Sequence, residues 1–401
     1  QLSRGLGDVY KRQVLDACQR SALAVTRSLG KQGVPLVTAD ETQTALAGCS
    51  RFSGRYVRYP SPQVQPEHFI ASVAGLIEKM GIQVILPMTE LTTTLLLSHR
   101  NRFPDTILPF PNKNTVDSLA DKCTLMRLAE SLAVPIPHTW YADNPGKLSV
   151  NLQDLTYPVV FKPGRSWLKS NGDWIHTTVR FAESASDAEA TLRSDPAFGA
   201  YPFLIQDYVS GNGQGVFALY DTGKPVAFFA HRRLREKPPR GGVSVLSESI
   251  PIKPLLLSHA RSLLDKAGWP GIAMVEIKVN EDGTPYLMEI NTRFWGSLQL
   301  AVDAGVDFPW MLYQLACGVQ VDPVKEYRTE RRLRWILGDL DSLYLLLRSS
   351  AYSLPEKVQA ILRFLWPAPF RTRHEVNRWE DLGPFWWELK QYIADLIGKK
   401  N

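Results

Sequence analysis

Near residue 280 the chain writes two apolar runs, Met274–Val279 and Tyr286–Arg293, on either side of Asn280-Glu281-Asp282-Gly283. The Asp-Gly step is a strong local signal for a hairpin, so the runs are expected to lie as adjacent antiparallel strands. Side chains alternate along a strand. Glu276 should therefore share a face with Met274 and Lys278, while Leu287, Glu289 and Asn291 share one face of the partner. Two carboxylates and an amide then converge on one point. Hard oxygen donors in that arrangement suit Mg²⁺, which takes one or two carboxylates and keeps phosphate oxygens and waters as its other ligands. A bare pair of acids with an asparagine is equally a solvated hairpin face, so the surrounding sequence decides.

That surrounding sequence divides into three parts. Residues 14–111 alternate strand-like and helix-like segments: Val34–Val37, Tyr56–Tyr59, a helix from Glu67 to Met80, and the apolar run Val84-Ile85-Leu86-Pro87. Such alternation argues for an α/β domain with a parallel sheet. Residues 112–323 begin helically, up to the prolines of Val134-Pro135-Ile136-Pro137, and then turn to a β-rich α+β spacing. Strands are expected at Val159–Lys162, Trp174–Phe181, Phe203–Val209, Val216–Tyr220 and Val226–His231, besides the hairpin, with a helix over Pro254–Ala267. Residues 324–401 read as a Trp-rich helical extension. Val358, Ile361, Leu362, Leu365 and Trp366 fit one apolar helix face, as do Leu389, Tyr392, Ile393, Leu396 and Ile397. Packing on the main body is the plain reading of those faces; a membrane-surface contact or a homodimer is the alternative.

The first thirteen residues, QLSRGLGDVYKRQ, lack any apolar period and resemble translated adapter sequence, so they are expected to be a non-native leader. Gly5-Leu6-Gly7 follows no strand and carries no weight as a dinucleotide fingerprint. The net charge is +6, and from Val324 onward 14 Lys+Arg face 10 Asp+Glu, an excess too dilute for a nucleic-acid stripe. No apolar run is long enough to span a membrane. The four cysteines are far apart, which suits a reducing cytoplasm.

With the hairpin as anchor, the chain from Val14 to Val319 resembles the ATP-grasp superfamily, in the branch of biotin carboxylase and the carbamoyl-phosphate synthetase large subunit, and is most similar to the carboxylate–amine ligases related to them. The resemblance rests on Glu276 with Met288-Glu289-Ile290-Asn291-Thr292-Arg293, on Asp121-Lys122 ahead of Val134-Pro135, on Val159–Pro163 closing on Lys162, and on Phe203–Val209 followed by Gly211. It implies a Rossmann-like pre-ATP-grasp domain, then a two-lobed ATP-grasp domain. Glu276, Glu289 and Asn291 would hold Mg²⁺ (or Mn²⁺) on the ATP phosphates, with Lys122 and Lys162 also on phosphate. Gln206, Tyr208 and Val209 would line the adenine pocket. Arg293 would lie beside an acyl phosphate, and Arg232, within His231–Lys237, takes the place of a cation facing the γ-phosphate and the carboxylate.

The loop after Lys162 departs from the family. Only Gly164 and Gly172 stand where relatives carry a glycine run that closes backbone N–H groups over phosphate; Arg165 or Lys169 could reach phosphate in its place. Glu90 and Arg20, at the ends of strands in the first part, are candidates for choosing the substrate. The implied activity is ligation of a small-molecule carboxylate to an amine. The alternatives are a bicarbonate-using carboxylase or carbamoyl-phosphate-type enzyme, and a nucleotide-binding scaffold without catalysis.

Overall fold

The alternating apolar runs of the first part form a parallel sheet. Its strands are β1 (Lys11–Val14), β2 (Leu36–Asp40), β3 (Arg55–Arg58) and β4 (Ile82–Leu86), in the order β3-β2-β1-β4. The structure is a computed structural model and describes residues 11–398 apart from 145–147, 149, 171–172, 240, 367 and 369. Helices Arg20–Lys31 and Pro66–Met80 supply the crossovers, and the second ends on Gly81 at φ 61°, a left-handed position suited to glycine.

One boundary moves. Lys11, Arg12 and Gln13, expected in the leader, instead open β1, where Gln13 pairs with Val37 on one side and Ile85 on the other. The physical reason is that ladder pairing uses backbone groups, so any side chain can occupy a central strand if the sheet needs one there. Residues 1–10 lie outside the described residues. The cost falls on Gln13, which is fully buried with neither amide atom hydrogen-bonded. A buried amide without partners costs about 1–3 kcal/mol. Gln13→Leu, of similar volume, should therefore raise the unfolding free energy by that amount in urea titration. A lower stability would show that the amide is satisfied in solution.

The middle part holds β5 (Thr139–Ala142), β6 (Val159–Pro163), β7 (Trp167–Ser170), β8 (Asp173–His176), β9 (Arg180–Ala182) and β10 (Phe203–Asp207). Four of these form a small sheet, β5-β10-β6-β9, while β7 and β8 make a separate hairpin. That hairpin interrupts the single strand expected over Trp174–Phe181. Its Trp167 and Trp174 pack against the apolar cluster of Phe69, Ile70 and Leu95 in the first part.

A larger sheet follows: β11 (Asn212–Asp221), β12 (Lys224–Lys237), β13 (Val243–Ser249), β14 (Gly271–Val279), β15 (Pro285–Asn291), β16 (Arg332–Arg334) and β17 (Thr372–His374). Their order is β15-β14-β11-β12-β13-β16-β17. Here the reading of a purely helical extension is corrected. Helices Ile336–Arg348, Leu354–Leu365 and Gly383–Gly398 form, but β16 and β17 add to the main sheet, β16 pairing antiparallel with β13. The tail also grips the first part through charge. Buried Arg27 donates from Nε to Asp381 (2.8 Å) and from its other nitrogens to the Glu375 and Val376 carbonyls. Three-residue strands carry too few residues to show a period, so the alternation signal passed over them. The apolar face expected to pack does not: Val358, Ile361, Leu362, Leu365 and Trp366 are exposed. Among the described residues no helix is long and apolar enough to cross a membrane.

Candidate active site

Bare backbone at Gly213 borders the main cavity. β11 begins near Gly211-Asn212-Gly213-Gln214-Gly215, and alternation puts its glycines on one face. A Cβ on Gly215 would come within 2.7 Å of the Phe217 ring and 3.1 Å of Met274 Cε; one on Gly213 would stand 3.0 Å from Arg233 Cδ. Glycines there let neighbouring side chains and a ligand approach the sheet closely.

Register then arranges the charges. Gly215 pairs with His231 on β12 and with Glu276 on β14, and Glu276 pairs with Glu289 on β15. His231, Glu276 and Glu289 thus stand in one row across the sheet. The ladder slips between Glu276 and Ile277, so that Ile277 pairs with Leu287 and Met288 is an extra residue on β15. This bulge corrects the expected face. Leu287 turns into the opposite core with Val275 and Ile277, while Met288, Glu289 and Asn291 all border the cavity.

Each carboxylate already faces a cation. Lys122 opens helix Lys122–Ser131, capped by Asp121, and its Nζ lies 3.2 Å from Glu289 Oε2. Arg233 donates from Nη2 to Glu276 Oε2 at 2.5 Å and from Nη1 to Glu236 Oε1 at 3.0 Å. The Lys122 ammonium pulls the Glu289 carboxyl down to about 2 in spite of burial. Burial works against charge on Lys122, but Glu289, then Glu90, outweighs it and holds the ammonium above its ordinary value. Burial raises Glu276, against the opposing Arg233 guanidinium. Lys162, on β6, is pushed down to about 8 by burial, which Glu289 only partly offsets. This is a cationic site short of anions, and phosphate oxygens would supply them.

The cavity, about 770 Å³, is bordered by Lys122, Lys162, Gln206, Tyr208, Val209 and Arg293 as well as the acids, so the structure brings nearly every expected residue to one place. Gln206 is buried, its Nε2 donating to Thr139 Oγ1 at 2.9 Å while Oε1 has no partner. Lys278 Nζ lies 4.8 Å over the Tyr208 ring.

Arg232 is the exception. Its side chain points away and pairs with Glu248 at 2.5 Å, while its neighbour Arg233 enters the cavity. Adjacent strand residues face opposite ways, so only one of the two could be inside. Arg165 does not reach the cavity either; it pairs with Asp117 (3.1 Å) and Asp121 (3.4 Å). Lys169 and Glu90 border a separate recess of about 230 Å³, whereas Arg20 borders the main cavity. Sequence reading missed Arg233, Glu236 and His231, and the period-two glycines of β11 were the available signal for the sheet face they flank.

Among the described residues no three His, Cys, Asp or Glu side chains cluster as a metal site. A divalent ion here would depend on Glu276, Glu289 and the Asn291 amide together with oxygens from a ligand. That set fits Mg²⁺ in its donor chemistry.

Residues 200–338 match the family of ATP-grasp proteins in the biosynthetic pathway with Ter operon. No curated protein matches the chain. Among solved structures, the ADP complex of purK, N5-carboxyaminoimidazole ribonucleotide synthetase, superposes with a TM-score of 0.61 at 13% identity, over 81% of each chain. A biotin carboxylase from Campylobacter jejuni gives 0.62 at 15%, over 80% of this chain and 74% of that one. An L-amino acid ligase from Bacillus licheniformis gives 0.61 at 15%, over 80% and 78%. Residues 200–338 thus resemble the ATP-grasp family, and the chain shares the ATP-grasp fold of these structures.

Proposed function

We propose that the protein is an ATP- and Mg²⁺-dependent ligase that activates a carboxylate as an acyl phosphate for attack by an amine. The observation that carries the reading is the quartet Lys122–Glu289–Glu276–Arg233 in the cavity, beside the lobe-joining segment Gln206–Val209. Bound Mg²⁺, held by Glu276, Glu289 and Asn291, would neutralise charge on the phosphate oxygens. Lys122 and Lys162 would orient the triphosphate, and Arg233, which borders the same cavity, would offset charge on the transferring group. A carboxylate oxygen attacks the γ-phosphorus as its bond to ADP breaks. The amine then adds to the acyl carbon and loses a proton, and inorganic phosphate leaves. Arg293 offsets the charge on the carbonyl oxygen during that addition.

An L-amino acid ligase is among the similar structures, which favours amino acids as the first substrates to try. With a carboxylate and hydroxylamine as trap, the protein should yield a hydroxamate together with ADP. Oxygen-18 placed in the carboxylate should appear in the released phosphate. Label retained wholly in the organic product, or release of AMP and pyrophosphate, would sink the acyl-phosphate route. Turnover with bicarbonate alone would favour the carboxylase alternative.

A further inference from the structure

Helices on the outside of a protein normally bury an apolar side and leave the polar one wet. The three tail helices do the reverse. Helix Ile336–Arg348 buries Gly338, Asp339 and Ser342 and turns Leu340, Tyr344 and Leu345 outward. Its inner side is held by polar bonds: Asp339 accepts from Arg235 and Arg334 at 2.6 Å, and Ser342 donates to the Glu236 carbonyl at 2.6 Å. Helix Gly383–Gly398 is held in the same way. Glu388 accepts from Trp335 Nε1 and the Tyr392 hydroxyl donates to Asp341, both at 2.7 Å, while Trp386, Ile393 and Ile397 are exposed. Helix Leu354–Leu365 buries no residue, and its inner contact is Phe364 under the Arg334 guanidinium at 4.3 Å. Its apolar stripe runs outward and ends on Trp366, 74% exposed, with Phe370, 98% exposed, just beyond. Most of the large apolar side chains that stand exposed among the described residues lie in this tail. Apolar surface gathered in that way marks a contact.

Charge selects what the contact is with. From Arg348 to Arg373 the sequence has five Lys+Arg and one acid, Glu356. Arg371 and Arg373 are ion-paired, to Glu330 at 2.9 Å and Asp303 at 3.5 Å. Arg348 donates to the Tyr344 hydroxyl, and among the described residues neither it nor Lys357 nor Arg363 meets a carboxylate. Glu356 is occupied in capping its own helix at Ser353. A second copy docked by the same face would set these three cations against their own kind across a two-fold axis. A bilayer with anionic lipids offers both complements, acyl chains for the stripe and phosphates for the cations. Trp366 and Phe370 supply the aromatic anchors that such an interface accommodates. At 12 residues the helix is too short to cross, so it would lie in the plane.

We propose that helix Leu354–Leu365, with Trp366 and Phe370, docks the protein on an anionic lipid surface. The test mixes full-length protein with sedimenting vesicles of phosphatidylcholine, with or without about 30 mol% phosphatidylglycerol. The protein should pellet with the mixed vesicles. It should bind about tenfold less to phosphatidylcholine alone, and similarly less to the mixture in about 0.5 M salt. Leu362→Ser combined with Trp366→Ser should lower the partition coefficient at least about tenfold, through lost apolar burial. Both side chains are exposed, so the melting temperature should hold. Arg348→Gln combined with Arg363→Gln leaves the stripe intact and should weaken binding to the mixed vesicles at least about fivefold, without changing the response to phosphatidylcholine. Protein that stays in the supernatant with both vesicle types, or pellets equally with both, overturns the proposal. So does binding indifferent to Leu362 and Trp366. A dimer in sedimentation velocity without lipid, dissociated by the Leu362 and Trp366 changes, gives the face to a second copy and overturns it as well.

Discussion

Glu289→Gln is expected to lower ATP turnover by at least about 100-fold while the protein stays folded. The carboxylate has two tasks in the cavity. It carries the charge that keeps Lys122 protonated and in place at 3.2 Å, and it faces Glu276 across the hairpin, where a divalent ion would need both acids. Glutamine keeps the shape, and its amide oxygen still accepts from Lys122, so the melting temperature should change little. It brings no charge, however, and a neutral amide is a poor substitute for a carboxylate on Mg²⁺. The measurement is ADP release beside a thermal melt. Turnover near that of the parent would remove Glu289 from the metal assignment.

A second large effect separates two neighbouring arginines. Arg233→Met should cut turnover by about 100-fold or more, because the guanidinium that faces Glu276 is lost. Arg232→Met should leave turnover within about twofold. Its side chain lies on the other face, and its partner Glu248 keeps Arg332 at 2.7 Å, so no carboxylate is left unpaired. Removing Arg233 also strips a cation from part-buried Glu276, which should lower stability. Arg233→Lys addresses that loss: it keeps the charge, and should restore stability and part of the turnover. The opposite ranking of the two positions would return Arg232 to the site and contradict the register of β12.

The acids and the asparagine were legible because their evidence is local. An Asp-Gly turn between two apolar runs sets a hairpin, and period two then says which side chains meet. Lys122 and Lys162 were legible by resemblance, from the short segments around each. Leu287 was misplaced by one residue of slip in β15, and a bulge of that kind flips every side chain beyond it. Arg232 was preferred to Arg233 for the same kind of reason. Nothing within His231–Lys237 states which residue pairs with Gly215, and that pairing alone decides the inward set.

Local pattern by itself determined the α/β start and the hairpin with its two carboxylates. These follow from turn chemistry and from periods that span a few neighbouring residues. Only the tertiary structure decided which arginine faces the acids, that β16 and β17 join the main sheet, and that Glu375 holds Arg20 against Gly296 from 355 positions away in the chain. Strand register and ion pairs between distant segments depend on which backbones come to lie side by side, and no short window of sequence contains that information.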